Sequence, residues 1–401
     1  MQTLDVPPLF DDLGHALATD YFFLREQLTA EQLAVLRSVR EFVDDEVLPV
    51  IGGYWERAEL PWPLIHRIGE LGILGEDING YGCPGLDPIA CGLAYMELNR
   101  GDGSLGTVLG VQSGLAMKSI HLFGSEEQKQ RWLPDMARVL KLGAFALTEP
   151  DHGSDSVALE TSAHRDGDEY VINGAKRWIG NGSLADVIVL WARGENGKVQ
   201  GFLIEKDTPG VDARVIEGKG SLRAIWQADI TLHDVRVAGE NRLPGADSFK
   251  DAGRVLAATR SACAWAALGH AVAAYETALT YAKRRHQFGR PLASFQIVQD
   301  RLVRMLAELT AMQLYCLQIG RLAQRGQLTD TIAGLAKLNN TRKARQICAD
   351  ARDMLGGNGL LLENHVIRHM ADIEAIHTYE GTETMQTLIV GRDITGIGAF
   401  A

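Results

Sequence analysis

The order in which this chain changes texture constrains its fold more than any single motif. From about residue 30 to 142 the apolar positions follow a helical period. Thr29 stands as an N-cap with Gln32 three residues on, ahead of Leu33, Leu36, Val39, Phe42 and Val43, which reads as a capping box opening an apolar helix. Pro61, Pro63, Pro84, Pro88 and Pro134 divide the rest of this region into short helices. Between about 143 and 243 the texture becomes β-branched and aromatic, in Tyr170-Val171-Ile172, Val187-Ile188-Val189-Leu190-Trp191, Phe202-Leu203-Ile204 and Ile230-Thr231-Leu232. Turn-forming stretches such as Asp166-Gly167-Asp168 and Gly194-Glu195-Asn196-Gly197 separate these runs. From about 247 the chain is helical again, in long Ala- and Leu-rich segments near 252–285, 292–326 and 329–355. The expected fold class is α+β, with an N-terminal helical domain over 1–142, a central antiparallel β domain over 143–246 and a C-terminal four-helix bundle over 247–401.

Composition removes several function classes. A chain of 401 residues, 46% hydrophobic and 23% charged, is an ordinary globular protein of two or three lobes. A formal charge of −11 argues against general nucleic-acid binding, which needs a surplus of Lys and Arg to neutralise phosphates. A ligand carrying a few phosphates is still compatible with local basic clusters. The five cysteines, Cys83, Cys91, Cys263, Cys316 and Cys348, are odd in number and lack C-x-x-C spacing, so reduced thiols fit better than disulfides or a metal site. The first twenty residues are acidic and contain neither Arg nor Lys, unlike a signal or transit peptide. Apolar runs fall short of a membrane span, and the ending Gly396-Ile397-Gly398-Ala399-Phe400-Ala401 carries no peroxisomal address. The expectation is a cytoplasmic protein with neither membrane nor nucleic-acid partner.

Five motifs follow one another along the chain. They are Phe145-Ala146-Leu147-Thr148-Glu149-Pro150-Asp151-His152-Gly153-Ser154-Asp155, Lys176-Arg177-Trp178-Ile179-Gly180-Asn181, Arg285-His286-Gln287-Phe288-Gly289-Arg290-Pro291-Leu292 with Phe295-Gln296, Leu355-Gly356-Gly357-Asn358-Gly359, and Tyr379-Glu380-Gly381-Thr382. Singly, each has a plainer reading. Thr-Glu-Pro is a strand end, a lone Trp is usually core, basic residues before Gly-x-Pro complement a helix C-terminus, and glycines between helices form a C-cap. Together, in this order and on this helix–sheet–helix layout, they resemble the acyl-CoA dehydrogenase family over nearly the whole chain. Two branches stand nearest: glutaryl-CoA dehydrogenases, through residues 351–359 and 391–397, and plant-type short-chain acyl-CoA oxidases, through residues 80–86 and 177–181.

The resemblance implies FAD as cofactor and an acyl-CoA thioester as substrate. It makes Glu380 the base that removes an α-proton while hydride leaves the β-carbon, work suited to a carboxylate whose pKa is raised by an apolar site. It assigns Phe145, Leu147, Thr148, Ser154, Trp178, Ile179, Gly180, Arg285, Phe288, Gln296, Asp353, Gly356, Gly357 and Thr382 to the cofactor, with Trp178 against the isoalloxazine and Arg285 on the pyrophosphate of a neighbouring subunit. A guanidinium suits that last role through its planar fork of donors. Substrate contacts fall to Ser154, Arg260, Tyr379, Gly381, Leu105 and Leu109. Glu374 and Glu383 lie close to Glu380 but fit no motif and read as structural.

At Gly180 most of the family carries Thr or Ser. Glycine removes that hydroxyl and leaves space, a feature pointing toward an oxidase. In glutaryl-CoA dehydrogenase a cation meets the distal carboxylate; by alignment on Val111-Gln112-Ser113 its arginine falls on Gly106, its serine on Gly110 and a nearby glutamate on Asn99. A buried carboxylate without a partner is costly. The expectation is therefore a short, uncharged acyl group, oxidised to trans-2-enoyl-CoA, with electrons passed to an electron-transfer flavoprotein by a homotetramer. An oxygen-using short-chain oxidase and a glutaryl-CoA dehydrogenase are the alternatives.

Overall fold

A computed structural model describes residues 19–399. The leader reading of the N-terminus falls mostly on residues 1–18, outside that range, as do the last two residues of the C-terminal ending. The first region carries seven helices: α1 (Ala30–Phe42), α2 (Ile51–Arg57), α3 (Trp62–Glu70), α4 (Pro88–Gly101), α5 (Gly103–Leu109), α6 (Lys118–Phe123) and α7 (Glu126–Ala137). Thr29 caps α1 as its sequence predicts, accepting from the Gln32 backbone N–H while the Gln32 side chain accepts from Thr29 N–H. Between α5 and α6 the helix is continuous but widens to π geometry over Gly110–Met117. Such local widening often marks a functional segment.

The sheet contains β1 (Gly143–Ala146), β2 (Ser162–Asp166), β3 (Glu169–Gly180), β4 (Val187–Gly194), β5 (Val199–Glu205), β6 (Val211–Val215) and β7 (Gln227–Ala238). Its order is β1-β4-β2-β3-β7-β6, with β5 also paired to β4. The expectation of an antiparallel domain needs correction at one edge, because β1 and β2 both run parallel to β4. The physical reason lies in the connections: long excursions, not hairpins, separate β1 and β2 from β4, and parallel pairing requires such crossovers. Strand β1 ends that order yet is buried along its whole length, because the π segment Gly110–Met117 packs against it.

The last region holds α8 (Phe249–Arg284), α9 (Gln296–Gln324), α10 (Asp330–Met354), α11 (Val366–Thr378) and α12 (Glu383–Thr395). Helices α8 to α11 pack together, and the fifth helix α12 lies against α10. Among the described residues no helix is long and apolar enough to cross a membrane. No cluster of metal-ligating side chains occurs among them either.

A buried knot ties all three regions to α11. Asp372 Oδ1 accepts from Trp55 Nε1 at 3.0 Å and from Leu222 N–H at 2.7 Å, and Arg368 pairs with Asp102. His270 and His369 meet through their Nδ1 atoms at 2.8 Å beside it. Six residues beyond Asp372, α11 ends at Thr378 and delivers residues 379–381. The knot therefore fixes where the Glu380 turn emerges.

Candidate active site

Glu380 has φ of 54° and is followed by Gly381 at 85°. A left-handed backbone at a non-glycine residue costs about 1–3 kcal/mol, and surrounding contacts must hold it. Here they do. Lys337 on α10, only 1% exposed, donates through Nζ to the carbonyls of both Tyr379 and Gly381. Gln386 Nε2 donates to the carbonyls of Glu380 at 2.9 Å and Gly381 at 3.2 Å. A Cβ at position 381 would stand 2.4 Å from that amide nitrogen, so the turn admits only glycine there. Thr382 caps the following helix, its hydroxyl accepting from Met385 N–H.

The carboxyl of Glu380 points to α8, where Thr259 Oγ1 donates to its Oε2 at 3.0 Å. Burial pushes this carboxyl above its ordinary range, while Lys337, the Thr259 hydroxyl and Arg260 pull in the opposite direction. Burial likewise pushes the Lys337 ammonium down. Arg260 is buried, contrary to the surface position its sequence context suggests, and pairs with Asp330 at 3.2 Å. The Tyr379 hydroxyl, pushed well up by burial, is hydrogen-bonded to Thr107 on α5. Glu374 and Glu383 are engaged elsewhere, with Arg345 and with Arg342 and His377. Thus Glu380 is the sequence-assigned carboxylate with a hydroxyl donor, a nearby lysine and a half-buried setting suited to a general base.

A second group of assigned residues lies along β1 and β3. Strand β1 stops at Ala146, two residues before Thr148, so Thr148 follows the strand instead of lying on it. Its carbonyl accepts from Arg177 N–H at 2.9 Å. Buried Lys176 donates to Leu147 O at 3.0 Å and Glu149 Oε1 at 2.9 Å, fixing the segment around Thr148. Desolvation pushes Lys176 down to about 8; burial pulls the Glu149 carboxyl up, but the Glu160 backbone N–H, Thr161 and the Lys176 ammonium together bring it down to about 2. Phe145 and Leu147 are core residues, Phe145 packing against Trp191, and Ile179 is buried too; their side chains face the interior and leave only backbone groups for a ligand. Trp178 is the opposite. A bulge between Lys176 and Ile179 gives it φ of 64°, and its indole is 53% exposed with the Arg177 guanidinium over its ring.

Gly180 corrects the sequence reading. It does not leave space, because a Cβ there would meet Val111 Cγ2 at 2.7 Å. Val111, from the π segment, fills the position, so the glycine is required by packing. Ser154 sits exposed in the turn that follows Pro150. Leu105 and Leu109 are fully buried in the main core.

The third group lies at the other end of α8. Arg285 caps that helix, and the hairpin 286–291 carries Phe288 at φ 53°, with 92% of its surface exposed. Gln296 begins α9. Lys283, Arg284 and Arg285 are exposed and have no carboxylate partner among the described residues. Asn358 reaches Tyr281 at 2.8 Å, and Asp353 pairs with Arg301, so the glycine loop belongs to the same end. A Cβ at Gly356 or Gly357 would meet nothing within 4 Å, whereas at Gly359 it would strike the Arg352 carbonyl at 2.2 Å. The first two glycines are therefore open to an approaching group, and the third is demanded by the chain itself.

Arg260 and Arg285 are separated by 25 residues of one helix. At about 1.5 Å per residue this is roughly 38 Å. One chain cannot bring the third group to Glu380, whereas the π segment links the second group to it, Val111 meeting Gly180 and Gly114 packing against Thr259.

Sequence reasoning missed Lys337, Gln386 and Thr259. The available signal was Lys337 itself, set among Ala333, Ala336, Asn340 and Ala344 on the buried face of α10.

These features fit a flavin dinucleotide: an exposed indole on a strand bulge, fixed backbone groups around Thr148, and unpaired cations beside open glycines. Comparison with known proteins agrees. Acyl-CoA dehydrogenase N-terminal, middle and C-terminal domains match residues 29–139, 144–235 and 249–395. The crystal structure of a glutaryl-CoA dehydrogenase from Mycobacterium smegmatis superposes with a TM-score of 0.94 at 44% identity, over 96% of this chain and 99% of that one. A second such structure from that organism, in complex with FADH2, gives 0.94 at 38% identity over 96% and 100%. The short-chain specific acyl-CoA dehydrogenase, mitochondrial, of Bos taurus is 34% identical over 364 residues, 88% of this chain and 87% of that protein.

Proposed function

The chain belongs to the acyl-CoA dehydrogenase family of FAD-dependent enzymes, and from that premise we propose that it oxidises a short, uncharged acyl-CoA to the trans-2-enoyl-CoA with Glu380 as base. The observation that carries this reading is the clamped, half-buried Glu380 carboxyl, hydrogen-bonded by Thr259. FAD, when bound, supplies the acceptor for the hydride that leaves the β-carbon. Glu380 takes the α-proton, and its raised pKa matches a base that works near neutral pH. Lys337 and Gln386 fix the turn that aims it, and Thr259 orients one carboxylate oxygen so that the other is free. Trp178, Thr148 and the backbone of 145–148 serve the cofactor within one chain. Arg285, Phe288, Gln296, Gly356 and Gly357 serve that of a partner, in a homotetramer. Ser154 and Arg260 hold the CoA moiety.

The acyl group follows from what faces Gly106. A Cβ there would stand 2.0 Å from Asn99 Nδ2, so a neutral carboxamide fills the place where a cation for a distal carboxylate would begin. Neighbouring Arg100 is turned away, paired with Glu97 and Asp44. This favours an uncharged tail despite the 44% identity to a glutaryl-CoA dehydrogenase. We assign electron transfer to an electron-transfer flavoprotein, since Val111 occupies the space beside Gly180. The five free cysteines support a reducing, cytoplasmic setting.

The test is an acyl-CoA panel on the purified holoenzyme under anaerobic conditions, followed by admission of air. Butyryl-CoA should bleach the flavin and glutaryl-CoA should not, and the reduced form should persist in air. Rapid recolouring with peroxide would make it an oxidase. Equal bleaching by glutaryl-CoA would overturn the uncharged tail.

A further inference from the structure

Gly106, Gly110 and Gly114 follow one another at helical spacing along α5 and the π segment, and α4 lays Asn99 and Tyr95, also four residues apart, against them. The three glycines differ in what covers them. At Gly106 the Asn99 carboxamide leaves no room. At Gly114 a Cβ would stand 2.9 Å from Thr259 Cγ2 and 3.0 Å from the Tyr95 hydroxyl. At Gly110 the same construction meets only Tyr95 Cε1, at 3.9 Å. Gly110 and Thr107 are also the half-buried positions in a stretch that is otherwise almost wholly buried, and Thr107 touches Tyr379 beside the base. A half-buried strip thus runs from Thr107, beside Tyr379, to Gly110, with the Tyr95 ring at its far side, and this strip would form one wall of an acyl cleft leading away from Glu380.

Two further observations show that this end of the cleft is built. Tyr95 is anchored, its hydroxyl donating to Glu76 Oε1 at 3.1 Å, with Glu76 only 6% exposed. Two buried acceptors here have no partner in the chain: Glu76 Oε2, and Asn99 Oδ1, which lies 2.4 Å from where a Gly106 Cβ would stand. Acceptors of this kind repel a terminal carboxylate, and the nearby cation, Lys118, is paired with Asp77.

We propose that Tyr95, steered by its hydrogen bond to Glu76, is the specificity-determining residue that closes the acyl cleft at Gly110 and confines the enzyme to short, carboxylate-free acyl tails. The inference rests on the acyl-CoA reading above. A ring held at one end by a buried carboxyl cannot swing aside without abandoning that bond, so each added methylene of substrate meets a fixed wall. Discrimination of about tenfold or more per methylene is what such a wall supplies.

The experiment measures anaerobic flavin reduction of the holoenzyme by butyryl-, hexanoyl-, octanoyl- and decanoyl-CoA. In the wild type the rate should fall steeply beyond the shortest members. Tyr95→Ala should raise the octanoyl-to-butyryl ratio by about tenfold or more. Gly110→Val, which adds bulk beside Tyr95 in the open turn, should lower the hexanoyl-to-butyryl ratio. If Tyr95→Ala is recovered without flavin, the Gly110→Val profile decides. Unchanged profiles in the folded variants, with the wild type still reduced by butyryl-CoA, would overturn this inference and leave the acyl-CoA reading standing. A wild type reduced by none of the four would bring down both.

Discussion

Glu380 and Phe288 share an unusual backbone, with φ of 54° and 53°, but little else. Around Glu380 the chain supplies every restraint: Lys337 and Gln386 on the flanking carbonyls, Thr259 on the carboxyl, and a knot at Asp372 that sets the preceding helix. Around Phe288 it supplies a two-residue hairpin and then stops, leaving an aromatic ring almost fully exposed among cations without partners. Strain at the first site is balanced inside the fold. At the second, a large apolar side chain and several charges are presented outward, an arrangement that has physical sense only if something else covers it. Glu380 is thus restrained by its own chain, whereas the hairpin at Phe288 fits the contact we propose with a partner subunit's cofactor.

Substitutions inside the fold should have the larger effects. Lys176→Met leaves the Glu149 carboxylate buried without its cation, and breaking a buried pair costs about 3–5 kcal/mol. Chemical denaturation should report that loss together with weaker flavin retention, since the same lysine holds the Leu147 carbonyl beside Thr148. A midpoint near the wild-type value would show that the segment is fixed by other contacts.

Lys337→Met should retain FAD but slow reduction by about 100-fold, the lower end of what a positioned general base contributes. Removing the cation also removes a downward pull on Glu380. The base must be ionised to act, so the rising limb of the pH–rate profile should move to higher pH. A slower variant with an unmoved profile would reduce Lys337 to a structural role.

The pH dependence of stability gives a smaller effect. Burial pushes the Glu76 carboxyl from 4.5 up to about 7. The fold therefore favours the protonated acid, and the stability this contributes is complete below pH 4.5 and lost as pH rises through about 7. Glu76→Gln should flatten that part of a thermal-unfolding profile. An unchanged slope would assign the pH dependence to other groups, such as Asp372, whose carboxyl burial also raises.

The hairpin should behave in the reverse sense. Phe288→Ala should alter chain stability by no more than about 0.5 kcal/mol, as expected of an exposed side chain, while weakening assembly and flavin retention. Sedimentation and flavin content measure both. An intact tetramer with full flavin would mean that the hairpin faces solvent after all.

The parts of this comparison that were legible in sequence are those written locally. The capping box at Thr29, the β-branched runs and the long Ala-rich helices each follow from short-range pattern, and so does the helix end at Arg285 before Gly289-Arg290-Pro291. What escaped depends on contacts between distant residues. Lys337 reaches residues 42 and 44 positions away, and Thr259 reaches Glu380 across 121. Nothing local distinguishes Val111 as the side chain that fills the space at Gly180. Strand texture likewise reveals the sheet but not that β1 and β2 run parallel to β4, because direction is set by connections and not by residue type.

The most direct test of the account is an anaerobic absorbance titration with butyryl-CoA of the wild type and of Glu380→Gln, both carrying FAD. The account predicts bleaching of the wild-type flavin and, in the variant, bound substrate without reduction. Bleaching of the variant at the wild-type rate would remove Glu380 from the chemistry and contradict it.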